Sequence, residues 1–164
     1  MFEGCEIRRL LDASDPIMRG MILLGVNCGF GQTDISGLPV SAIDFRGGWI
    51  DFGREKTGVP RKCPVWGETA AALRDAIAMR PEPSGPEHAE LAFLTPTGIP
   101  VVRNWLSTKE EKAKAGLTTR TDTVARAFTR LVKSCGLNGS RSFYTLRHTF
   151  ATVAEETGDY PAVS

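Results

Sequence analysis

Apolar residues recur along this chain with two different periods. In residues 3–12, Ile7, Leu10 and Leu11 share one side of a helix, which predicts a short amphipathic element. Ser14-Asp15-Pro16 reads as a helix start, because a proline in the first turn has no needed N–H to lose. The run 17–28 is apolar on most sides, the pattern of a buried helix, and Gly29-Phe30-Gly31 ends it. Thr33 and Asp34 open another short helix through Leu38. From 43 to 65 the pattern changes to short β-type runs: Ile43-Asp44-Phe45, Trp49-Ile50-Asp51-Phe52 and Arg61-Lys62-Cys63-Pro64-Val65. Turns at Arg46-Gly47-Gly48 and at 53–58 separate them, so they predict a small antiparallel sheet of three strands.

Helical periodicity returns over 68–79, before a proline-rich loop at 81–86 and a further short strand at 91–94. Residues 109–116 are polar without a period and predict a mobile connection. Val124, Phe128, Leu131, Val132 and Cys135 then form one apolar helical stripe, with Arg120, Arg126, Arg130 and Lys133 largely off it. A last helix starts near Tyr144, buries Leu146, Phe150 and Val153, and fades at Thr157-Gly158. The expectation is a single α+β domain over 1–164, mainly α-helical, with a small three-stranded antiparallel sheet.

Composition narrows the class. The chain has 164 residues, 41% hydrophobic and 24% charged, enough for one domain with a real core. No apolar run approaches the roughly 18 residues a membrane span needs, and the N-terminus lacks the pattern of a secretory signal. No membrane partner and a cytoplasmic location are expected. Cys5, Cys28, Cys63 and Cys135 lie far apart with no C-x-x-C pair, and only His88 and His148 could complete a metal site. They are read as isolated reduced thiols, and no metal or other cofactor is expected. Charge is uneven: from Arg103 to Arg147 there are ten Lys/Arg against three Asp/Glu, in a chain whose net charge is only +1. Such asymmetry fits a face that meets a polyanion, and equally a solvated helix surface.

The last helix carries the most specific chemistry. Tyr144 and Arg147, three apart, share a face opposite Leu146 and Phe150, so a guanidinium stands beside a phenol. Arginine there offers five fixed donors for two phosphate oxygens, and a hydroxyl adds one more. A surface ion pair would use the same residues.

Leu146-Arg147-His148-Thr149-Phe150-Ala151-Thr152 resembles the L-R-H-T-F-A-T box of the tyrosine recombinases of the phage-integrase type. The resemblance implies that Arg147 is the second catalytic arginine, and that Tyr144 stands where most members place a histidine, while His148 packs within the helix. Arg54-Glu55-Lys56-Thr57-Gly58-Val59-Pro60-Arg61 is similar to the family's strand-turn-strand, whose K-T-G lysine enters the active site. Lys56 matches that lysine, which implies a general acid that protonates the departing 5′ oxygen of a cut DNA strand; the alternative is an exposed turn charge. The candidate catalytic residues are therefore Arg147, Lys56 and Tyr144. The implied partner is duplex DNA, with self-association on DNA in the intact protein and no metal or nucleotide cofactor.

Two departures qualify the resemblance. The stretch from Cys28 to Leu38 corresponds to the family's first arginine box, yet Gly31 occupies the arginine's place and Asp34 that of a supporting glutamate. Either another cation, such as Arg19 or Arg46, fills the gap in space, or the protein does not cleave DNA efficiently. The family's nucleophilic tyrosine follows a further helix, whereas Tyr160 comes immediately after the Arg147 helix. The chain is thus expected to be a C-terminally incomplete catalytic domain without the family's core-binding domain, and to form no covalent DNA adduct alone. The alternative function is a recombinase-derived DNA-binding or regulatory module that has lost catalysis.

Overall fold

A computed structural model of the chain describes residues 1–53, 59–106, 118–137 and 141–156. Helix α1 (Gly4–Ala13) begins with a capping box in which Glu6 Oε2 accepts from the Glu3 N–H at 2.9 Å. Asp15 caps the next helix, α2 (Pro16–Cys28), by accepting from the Met18 N–H at 2.8 Å, with Pro16 in the first turn. Met21, Ile22, Leu23 and Leu24 are all buried, as an all-round apolar helix requires. Gly29 ends it with φ 63°, a left-handed conformation that only glycine adopts freely, and the Phe30 N–H returns to the Leu24 carbonyl. Helix α3 (Gln32–Gly37) follows at once.

Three short antiparallel strands, β1 (Ile43–Asp44), β2 (Trp49–Asp51) and β3 (Lys62–Pro64), form a sheet in sequence order. The register pairs Ile43 with Ile50 and Ile50 with Cys63, and these three side chains are the buried ones. Helix α4 (Gly67–Ala78) packs Ala72, Leu73 and Ala76 into the core beside α2. Instead of the strand expected at 91–94, there are only isolated bridges, Pro39 to Leu91 and Leu94 to Pro100. Among the described residues, Leu91 to Leu94 has no neighbouring strand that extends a ladder beyond these bridges.

A second, two-stranded sheet pairs β4 (Val102–Leu106) with β5 (Thr118–Asp122), antiparallel, a pairing that the non-alternating pattern of these strands does not announce. Residues 109–116, expected to be a mobile connection, lie outside the described residues. Asp122 caps helix α5 (Thr123–Ser134) by accepting from the Ala125 N–H at 2.8 Å. Its stripe is as predicted: Val124, Phe128 and Val132 are buried, while Arg126, Arg130 and Lys133 are exposed.

The last described helix, α6 (Tyr144–Glu156), lies against α2. It buries Leu146, Thr149 and Ala154, whereas Phe150 is only partly buried and Val153, expected inside, is half exposed, because both line the cleft left open between α1, α2 and the approach to β3. Phe2, Phe128 and Phe143 meet edge to face, with centroids 6.0 and 5.2 Å apart, and so join the N-terminus, α5 and the entry to α6. The Phe2 N–H donates to Thr149 Oγ1, and Arg141 pairs with Glu6.

Candidate functional site

The site begins where α2 and α6 touch. Gly25 and Gly29 lie one turn apart on α2, and a Cβ at Gly25 would sit 3.0 Å from Leu146 Cβ. At Gly29 it would sit 2.6 Å from the Phe150 ring, so two missing side chains let the helices approach at backbone distance. That closeness brings Arg147 within reach of the end of α2. Its Nη1 donates to the Gly29 carbonyl at 2.9 Å and lies 3.7 Å from Asp34 Oδ2. A helix C-terminus carries partial negative charge, so the cation is favoured there.

Asp34 is shared. Its Oδ2 accepts from the Gly31 N–H at 2.9 Å and so caps α3, while Oδ1 lies 3.3 Å from Arg61 Nη2. Arg61 comes from the approach to β3. Its guanidinium lies 3.9 Å over the Phe30 ring and its Nε donates to the Phe52 carbonyl at 3.2 Å. One carboxylate therefore holds two guanidiniums, from α6 and from the sheet. Arg19 donates instead to the Leu11 carbonyl, at 2.8 Å from Nη2, and Arg46 is exposed in the β1–β2 turn. Among the described residues, the cation that joins Arg147 at Asp34 is thus Arg61, and neither Arg19 nor Arg46.

Strand β3 is fixed to α2 by two links. Asn27, buried near the end of α2, donates from Nδ2 to the Pro64 carbonyl at 3.0 Å and accepts at Oδ1 from the Trp66 N–H at 2.9 Å. The next residue, Cys28, is disulfide-bonded to Cys63. This corrects the expectation of four isolated thiols. Thirty-five positions separate the two cysteines, and only the packing of β3 on α2 brings them together. Cys5 and Cys135 are free.

Tyr144 occupies the first turn of α6, exposed, with its ring 4.9 Å from that of His148. Among the described residues, a Cβ on Gly31 would meet only Asp34 Oδ2, at 3.7 Å, and Tyr144 Cδ2, at 4.0 Å. Gly31 therefore faces the same cluster as Tyr144 and Arg147. Arg120 of β5 reaches Thr33 Oγ1 at 3.3 Å, and so the basic segment borders α3. Lys56 and Tyr160 lie outside the described residues. Among the described residues there is no group of three or more His, Cys, Asp or Glu placed to hold a metal, and no helix long and apolar enough to cross a membrane.

Asn27 and Arg61 were missed by sequence reasoning. A buried asparagine within an apolar helix was the one signal available for the first; Arg61 lay in plain view but carries no motif of its own.

The profile of the phage integrase family matches residues 1–163. Among solved structures, XerA recombinase superposes with a TM-score of 0.68 at 21% identity, covering 96% of this chain and 51% of that one. The Tn1549 transposon integrase in complex with circular intermediate DNA gives 0.71 at 20% identity, covering 98% and 53%. A lambda integrase dimer bound to a COC′ core site gives 0.64 at 20% identity, covering 95% and 52%. At such identities the likeness is one of fold, and the chain spans about half the length of these structures. No curated protein matches the sequence.

Proposed function

The chain belongs to the phage integrase family, and from that membership and the arginine cluster we propose that it is the catalytic domain of a site-specific DNA recombinase. The observation that carries the reading is Arg147, held between the Gly29 carbonyl and Asp34 beside the exposed Tyr144. The substrate is a phosphodiester of duplex DNA. Arg147 binds its non-bridging oxygens and stabilises the charge that builds up as phosphorus becomes five-coordinate. Tyr144 donates a further hydrogen bond, and Lys56 protonates the leaving 5′ oxygen. In the natural protein a tyrosine attacks phosphorus, the bond to the 5′ oxygen breaks, and a 3′-phosphotyrosyl intermediate conserves the energy for rejoining.

Relatives seen with core-site DNA and with a circular DNA intermediate support DNA as the partner, and the lambda integrase dimer supports self-association on it. The exposed arginines of α5 extend the contact to neighbouring phosphates. Such a protein works in the cytoplasm.

The test is capture of a covalent adduct. The natural full-length protein is incubated with a nicked suicide substrate, and the adduct is resolved by denaturing electrophoresis and mapped by mass spectrometry. A 3′-phosphotyrosyl peptide that disappears in Arg147→Gln supports the reading. DNA binding without any adduct would overturn it in favour of a module that has lost catalysis.

A further inference from the structure

Asp34 creates a difficulty for anion binding. A carboxylate 3.7 Å from Arg147 orients that guanidinium but also cancels its charge. In a partly buried site such a pair interacts several-fold more strongly than in water. Taken alone, Asp34 and Arg147 are neutral and offer a phosphate little net attraction.

Arg61 changes that balance. It lies 3.3 Å from the other oxygen of the same carboxylate, and its guanidinium is fixed by the Phe30 ring and the Phe52 carbonyl. Its terminal nitrogens are closed to solvent. The side chain is 14% exposed against 22% for Arg147, so it faces Asp34 rather than an incoming ligand. Gly31, on the other hand, puts no side chain between Asp34 and Tyr144.

We propose that Arg61 is a positioning residue that balances the charge of Asp34 from behind, so that the trio keeps one net positive charge and Arg147 presents it to the phosphodiester. The inference rests on the reading of the chain as a DNA-acting recombinase domain. The links of Asn27 and Cys63 suit this role, because a counter-charge acts reliably only if its strand cannot drift.

The test is a charge-balance cycle, read by fluorescence anisotropy on duplex DNA across a salt series. The proteins are the wild type, Arg61→Gln, Asp34→Asn and the double variant, with Arg147→Gln as reference. Arg61→Gln is expected to weaken binding about tenfold at low salt and to lower the log–log salt slope by about 0.9, the value for one phosphate contact. Arg147→Gln should do the same. Adding Asp34→Asn to Arg61→Gln restores one net positive charge, and the wild-type slope should return.

An arginine with a purely architectural role would leave the double variant at least as weak as the single one. That result, or an unchanged slope in Arg61→Gln, overturns the proposal. If Arg61→Gln does not fold by circular dichroism, Arg61→Lys takes its place: it keeps the charge and should keep the slope, and a folded Arg61→Lys with a reduced slope also overturns the proposal. Failure of the wider reading looks different, since the wild type would then bind DNA with a flat salt dependence or not at all, or the natural protein would bind it and form no adduct with the suicide substrate.

Discussion

The two guanidiniums at Asp34 are held in opposite ways. Arg147 owes its place to missing atoms: Gly25 and Gly29 remove two side chains, and α6 settles onto α2 until a guanidinium meets a carbonyl. Arg61 owes its place to added links, the two hydrogen bonds of Asn27 and the Cys28–Cys63 bond, which tie a three-residue strand to the same helix. A seam of two helices is rigid once it is close-packed. A short strand buries too little surface to be rigid unaided, so it needs explicit ties. The difference teaches that one helix, α2, serves as the reference frame for both charges, through packing on one side and through bonds on the other.

Breaking the seam should have the largest effect. Gly29→Ala combines a left-handed backbone, unfavourable by about 1–2 kcal/mol for a residue with a Cβ, with overpacking worth about 1–3 kcal/mol. A loss of about 2–5 kcal/mol is expected from urea denaturation. Equal midpoints for variant and wild type would show that Phe150 can move aside, and that the seam is looser than described.

Breaking the links should have the next largest effects. Cys63→Ser, compared with the wild type under oxidising conditions, releases a closed loop with a sequence separation of 35 and should lower stability by about 3 kcal/mol. The same comparison in excess reductant should shrink the gap sharply. Asn27→Ala should follow at about 2 kcal/mol, since it leaves the Pro64 carbonyl and the Trp66 N–H without their partner. If β3 were held mainly by its neighbour β2, hydrogen exchange at Cys63 would not quicken in Asn27→Ala; faster exchange there is expected.

The smallest effect belongs to a contact away from the site. The hydrogen bond from Arg141, and then that from the Glu3 N–H, hold the Glu6 carboxyl below its ordinary range. A depressed carboxyl contributes stability that is present above its unfolded pKa and is lost as pH falls through the folded one. Melting temperatures of wild type and Glu6→Gln should therefore differ at neutral pH and converge in acid, at a pH below the ordinary glutamate range. Curves that stay parallel down to pH 2 would refute the assignment.

Much of this architecture was legible because it is written locally. The Asp15-Pro16 start of α2, its glycine stop, the stripe of α5 and the three strands each declare themselves within a few residues. So does the box around Arg147, since the neighbours that bury one face of α6 and expose the other are adjacent in sequence. Arg61 was illegible for the complementary reason. Its meaning comes from Asp34, Phe30 and Phe52, all earlier in the chain, and a single arginine in a β-type run has no period to reveal what it faces. The β4–β5 hairpin escaped because β5, Thr118–Asp122, carries no apolar residue and β4, Val102–Leu106, has apolar residues that do not alternate, so neither shows the period-2 pattern of a half-buried strand. Val153 misled because a helical period marks a face but not whether the neighbouring elements close over every residue of it, and Val153 lines a cleft.

The bond from the Phe2 N–H to Thr149 Oγ1 joins residues 147 positions apart, and Arg141 with Glu6 and Arg9 with the Cys135 carbonyl span 135 and 126. These contacts close nearly the whole chain into a ring, and the cost in loop entropy must be met before they form. During synthesis α1 therefore emerges long before its docking partner exists, and its apolar side must wait, solvated or shielded by a chaperone, until α5 and α6 have left the ribosome. The fold is thus sealed when α1 meets α5 and α6, and its folding rate should be that of a slow, non-local topology in spite of its helical content.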